Sequence, residues 1–154
     1  MEQMNKSIGF TLMAASLTLL SVNAFADNAD QMDNDSNLVN QVRYQNSRFK
    51  DVKVALKEGY NPIPCTSGIE GGAMGIHYVN ASLIKDEPVD LSKPQAVMYE
   101  PGSDGKSKLV AVEYITTKGP ANLKGQLFSF TGSPNRYGLP AFYELHVWAW
   151  RDNP

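Results

Sequence analysis

Hydrophobic positions along this chain fall into three rhythms, and each predicts a different kind of element. Residues 8–22, IGFTLMAASLTLLSV, form an unbroken apolar run without charge. From Leu38 onward the apolar residues change to spacings of four, seven, three and four, at Leu38, Val42, Phe49, Val52 and Leu56. Those spacings place them on one stripe of a helix over residues 38–58. Ser36 or Asn37 can cap its start, and Gly59 can end it in the left-handed conformation. Residues 60–72 carry two Pro and three Gly and read as an ordered loop. Beyond them the rhythm drops to two, and strands are predicted over residues 73–80, 95–100, 108–117 and 141–150. The cluster Pro101-Gly102-Ser103-Asp104-Gly105 predicts a hairpin between the second and third. Residues 131–140, with two Gly and two Pro, predict an irregular loop before the last strand.

One helix followed by four strands, with no helix between them, predicts an α+β domain: an N-terminal helix packed on a mainly four-stranded antiparallel sheet. The element order is that of a cystatin-like roll or of the roll of nuclear transport factor 2, an analogy of order alone. The run at 8–22 reads differently. It is short for a membrane span of about 20 residues. It follows a short polar segment containing Lys6 and precedes Ala24-Phe25-Ala26, small residues in the positions that signal peptidases read. The predicted division is a signal peptide over 1–26, a flexible acidic and amide-rich leader over 27–37, and a single domain over 38–154. Export to the periplasm or the medium follows from it, with no membrane association after cleavage.

The chain has 154 residues, 42% of them hydrophobic, a net charge of −2 and one Cys. That composition suits a folded domain with its own core. It argues against a protein that binds nucleic acid by neutralising phosphates, and a single Cys excludes an intrachain disulfide framework or a multi-thiolate zinc site.

Strand parity sorts the remaining polar residues. Successive strand residues face opposite sides. Tyr143, Leu145, Val147 and Ala149 are predicted on the core side of the last strand, with Val110, Val112 and Tyr114 on the third and Met74, Ile76 and Tyr78 on the first. The other side collects His77, Glu113, Glu144 and His146 among Val79, Ala111, Ile115, Phe142, Trp148 and Trp150. Both histidines of the chain fall there. Pairing of Tyr99 with Leu109 brings Tyr99 to the same side; an odd shift sends Met98 and Glu100 instead.

Large apolar groups beside a few convergent polar ones are what small-ligand pockets look like. Two imidazoles and a carboxylate suit a divalent metal such as zinc, copper or iron. His77, Glu113 and His146 are the predicted metal ligands, with Tyr99, Glu144 and Trp148 as ligand-binding neighbours. The leading expectation is a binding module for a small molecule or a metal ion. The alternative from another class is a small enzyme, a metal-dependent hydrolase or oxidoreductase using the same groups, and further readings remain open. Glu113 and Glu144 fit a carboxylate pair of a sugar hydrolase with Trp148 and Trp150 as stacking platforms. Cys65 fits a nucleophile with His77 or His146 as base and Asn80 as orienter. A hydrogen-bonded polar cluster that merely orders the sheet, or an aromatic face that contacts a partner, needs no chemistry at all.

The segments Cys65, Met74-Gly75-Ile76-His77-Tyr78-Val79-Asn80, Met98-Tyr99-Glu100-Pro101, Val112-Glu113-Tyr114 and Glu144-Leu145-His146-Val147-Trp148-Ala149-Trp150 resemble a family of small secreted bacterial hypothetical proteins. The likeness covers residues 38–154. It implies the same domain boundary and bacterial export, and the family carries no assigned activity. Members of that family often continue past the corresponding Asn-Pro and finish with a Cys, which would pair with the counterpart of Cys65 in an oxidising compartment; this sequence lacks that Cys, so either it is truncated or Cys65 is a free structural thiol.

Overall fold

The computed structural model describes residues 37–64, 74–85, 88–135 and 138–152. The predicted signal peptide, leader residues 27–36, the Ser36 cap and Cys65 lie outside the described residues.

The predicted helix over 38–58 is three pieces. Helix α1 covers residues 37–45, so Asn37, expected in the leader, is helical. A 3-10 turn follows at Ser47–Lys50, and helix α2 runs Val52–Lys57. Two short polar side chains make the breaks. Asn46 is fully buried, and its amide donates to the carbonyls of Val42 and Leu91. Asp51 is extended, and its carboxylate accepts from the Lys53 amide as the N-cap of α2. Asn and Asp compete with the helix in this way because their side chains bond nearby backbone groups. The interruption resets the stripe. Leu38, Val42 and Phe49 are buried as predicted, but Leu56 is 48% exposed and Ala55 takes its place in the core. Gly59 does end α2 with φ +90°. The Gly59 and Tyr60 amides donate to the carbonyls of Leu56 and Ala55, the two bonds of a Schellman stop.

The sheet has six strands, not four, all antiparallel, in the order β1-β2-β3-β4-β8-β7. Strands β2 (Ile76–Val79), β3 (Ala96–Pro101), β4 (Ser107–Thr116) and β8 (Phe142–Val147) are the predicted ones; β2 and β8 are shorter at both ends, and β3 and β4 are each displaced by one residue. The predicted hairpin joins β3 to β4. Two short edge strands were not expected. β1, Asn61–Pro62, lies in the predicted loop, and Pro62 is tolerated because an edge strand leaves one side unpaired. β7, Ser129–Thr131, pairs with β8. A separate hairpin, β5 (Asn122–Leu123) with β6 (Gln126–Leu127), turns through Lys124 and Gly125. Both have positive φ, as a two-residue hairpin turn demands.

The helices cover one side of the sheet. Leu38, Val42, Phe49 and Ala55 pack in one cluster with Val97, Tyr99, Leu109, Val112, Tyr114 and Val147. Three buried tyrosines tie the layers together through backbone carbonyls. Tyr99 donates to Phe49 (2.6 Å), Tyr60 to Pro94 (2.7 Å) and Tyr114 to Leu91 (2.8 Å). Burial pushes all three phenols above their ordinary range.

These breaks make a distinction the uninterrupted stripe does not. Asn46→Ala removes two buried hydrogen bonds and should lower the unfolding free energy by about 2 kcal/mol. Leu56→Ala should change it by less than about 1 kcal/mol. Urea denaturation of both variants checks this, and a larger cost at Leu56 would contradict the broken-helix arrangement.

Candidate metal centre

The side of the sheet away from the helices carries three convergent polar groups. Glu113 on β4 sits directly opposite His146 on β8 and opposite Ala96 on β3. His77 on β2 pairs with Met98, which pairs with Ala111. His77 therefore approaches Glu113 diagonally across β3. Ala96 and Ala111 are the small side chains that leave room for this.

The distances are short. His77 Nε2 lies 3.8 Å from Glu113 Oε2, and His146 Nε2 lies 3.7 Å from Glu113 Oε1. The two rings are edge to face, with centroids 5.9 Å apart. One ligand atom from each of the three residues falls within 4.8 Å of the other two. His77 and Glu113 side chains are 1% and 3% exposed, and His146 is 20% exposed. Access to the group is therefore on the His146 side.

Burial raises the Glu113 carboxyl well above its ordinary 4.5, and the neighbouring Glu144 carboxyl adds to the rise. Burial lowers His146, against a smaller opposing pull from Glu144. At neutral pH this favours a neutral imidazole, the form that ligates metal. Among the described residues, no hydrogen-bond partner reaches Glu113 Oε1, Glu144 Oε2 or His146 Nε2.

The outer candidates divide. Glu144 lies on the same side of β8 as His146, and the Thr131 hydroxyl donates to its Oε1 at 2.7 Å. Trp148 packs on Met98, Val110 and Ala111, beside Met74. Glu144, His146 and Trp148 line a cavity of about 280 Å³ with Met74, Ser129 and Leu145. Tyr99 is not there. It does pair with Leu109, but β4 bulges: Met98 faces Ala111 and Tyr99 faces Leu109, so Val110 is left over. The extra residue reverses parity on one side of it. Tyr99 and Leu109 go to the helix side, and Met98 and Val110 to the other.

Two more parity expectations change for similar reasons. Gly75 has φ +90°, and a Cβ there would lie 2.8 Å from the Tyr99 carbonyl, so only Gly fits. Met74, before it, joins the metal side instead of the core. Trp150, past the end of β8, packs with the main core. Trp148 and Trp150 are thus in different clusters and do not make one stacking surface. Asn80 is committed elsewhere: its amide donates to the Glu58 carbonyl, and its Oδ1 accepts from Ser82. Thr131 and Ser129 were missed because β7 is three residues long and sits beside Gly and Pro.

No protein-family model, curated protein or solved structure matches the chain.

The buried acid gives a pH test on metal-free protein. A carboxyl raised on folding contributes its stability fully below the unfolded value of about 4.5 and loses it as pH climbs toward the folded value. Glu113→Gln has no such loss. Its urea midpoint should exceed the parent's at pH 8, and the gap should close as pH falls toward 4.5. A gap that is flat with pH would contradict the assignment.

Proposed function

We propose that this chain is an exported binding module that holds one divalent transition metal through His77, Glu113 and His146. Zinc, copper and iron all suit two imidazoles and a carboxylate. The observation that carries the reading is the pair of separations at Glu113, 3.7 and 3.8 Å. Hydrogen bonds between these groups would be about 2.7–3.2 Å. Donors that share a metal about 2.1 Å from each stand roughly 3–3.5 Å apart at tetrahedral angles. The groups are too far apart to satisfy one another and close enough to close on an ion by small side-chain rotations.

The chemistry of the donor set agrees. A buried carboxylate and two neutral imidazoles leave one negative charge for a dication, in a site that excludes most water. A polar cluster serving only the sheet would cost stability at each unsatisfied buried atom, about 1–3 kcal/mol. Export rests on the apolar run at 8–22 and the Ala24-Phe25-Ala26 site. N-terminal sequencing of the exported chain should begin at Asp27. Among the described residues, no helix is long and apolar enough to cross a membrane.

The test is calorimetry of the untagged chain, stripped with chelator, against zinc and copper. One ion per chain is expected. At a free metal concentration of a hundred times Kd the fold should gain about 2.7 kcal/mol, raising the unfolding midpoint by roughly 5–15 °C. Glu113→Gln and His146→Ala should each weaken binding by at least about a hundredfold, since even supporting residues of metal sites cost ten- to a hundredfold. Equal and negligible uptake by the parent and both variants would overturn the proposal.

A further inference from the structure

We infer that the metal keeps an exchangeable position opening into the cavity beside His146, and that Glu144 there selects small protic ligands over aprotic anions. This rests on the metal reading above and goes one step beyond it, to the class of molecule the site admits. Three protein ligands leave a fourth position in a tetrahedral site. His77 and Glu113 are sealed, so that position cannot open on their side; His146 is the partly exposed member and borders the cavity. The cavity, about 280 Å³, has room for a ligand of a few non-hydrogen atoms.

Glu144 supplies the selectivity. Its Oε1 is fixed by the Thr131 hydroxyl at 2.7 Å, which sets the direction of the carboxylate. Its Oε2 is shielded from solvent and has no hydrogen-bond partner among the described residues. Glu144 stands two residues from His146 on the same side of β8 and lines the same cavity. Oε2 therefore needs a donor from whatever occupies the cavity that Glu144 shares with His146. A ligand with an N–H or O–H next to its metal-binding atom supplies one. An anion without a proton meets the Glu144 charge instead. Met74 and Trp148 provide an apolar wall for the remainder of the ligand.

The experiment uses the full chain loaded with Co(II), whose visible bands report its coordination. Acetohydroxamate, which keeps an N–H beside its metal-binding oxygen, is titrated against azide, which has no proton. Acetohydroxamate is expected to shift the bands and to bind more tightly than azide. Glu144→Gln should weaken acetohydroxamate about tenfold or more, as loss of a hydrogen bond to a charged group does, while azide stays level or tightens. Thr131→Val, which frees Glu144 without removing its charge, should weaken acetohydroxamate by less and leave azide unchanged. Cobalt bands that neither probe moves would overturn the inference and leave the metal reading intact. Equal weakening of both probes by Glu144→Gln would overturn the role of Glu144. Absence of cobalt bands would remove the metal reading, and this inference with it.

Discussion

Glu113 lies in the middle of the sheet, buried on a central strand, with an imidazole on either side. A lone carboxylate in such a place is among the costliest groups a fold can hold, and the protein meets the cost by keeping it protonated or by pairing it. Burial and the nearby Glu144 push it toward the protonated form. The two imidazoles stand ready on either side, but at distances that do not satisfy it. This unresolved polar group is the reason to look for an ion. Everything proposed about function follows from the tension between a buried acid and neighbours that almost, but not quite, compensate it.

The sheet creates that tension by geometry alone. Direct pairing brings His146 to Glu113, and a diagonal step over Ala96 brings His77. The bulge at Val110 then decides which neighbours share the surface, exchanging Tyr99 and Leu109 for Met98 and Val110. On the far side, Tyr99 anchors β3 to the Phe49 carbonyl, one residue from Met98. The strands that carry the polar groups are therefore backed by a packed layer, which is how sites are held in place on rigid elements.

Much of this was legible from residue order. Parity placed His77, Glu113, Glu144 and His146 on one side, because the pleat of β2, β4 and β8 is regular where they sit, and Trp148, just past the end of β8, keeps the same side. Gly59 was legible as a helix stop because few residues adopt its φ. The misplacements have local causes. Tyr99 and Met74 changed sides because a bulge and a left-handed Gly each shift parity, and neither leaves a periodic trace. The long helix was misread because Asn46 and Asp51 interrupt the chain without disturbing the apolar spacing. β1 and β7 are too short to show alternation, and with β7 went Thr131 and Ser129, which shape the cavity beside His146.

The central claim is one of place: an ion held between these three side chains. Crystals of the metal-loaded chain, with data collected on either side of the metal's absorption edge, test it most directly. The account predicts a single strong anomalous peak about 2.1 Å from a nitrogen of His77, a nitrogen of His146 and an oxygen of Glu113. A peak bound elsewhere on the chain, with the His77 and His146 rings still apart from it, would contradict it.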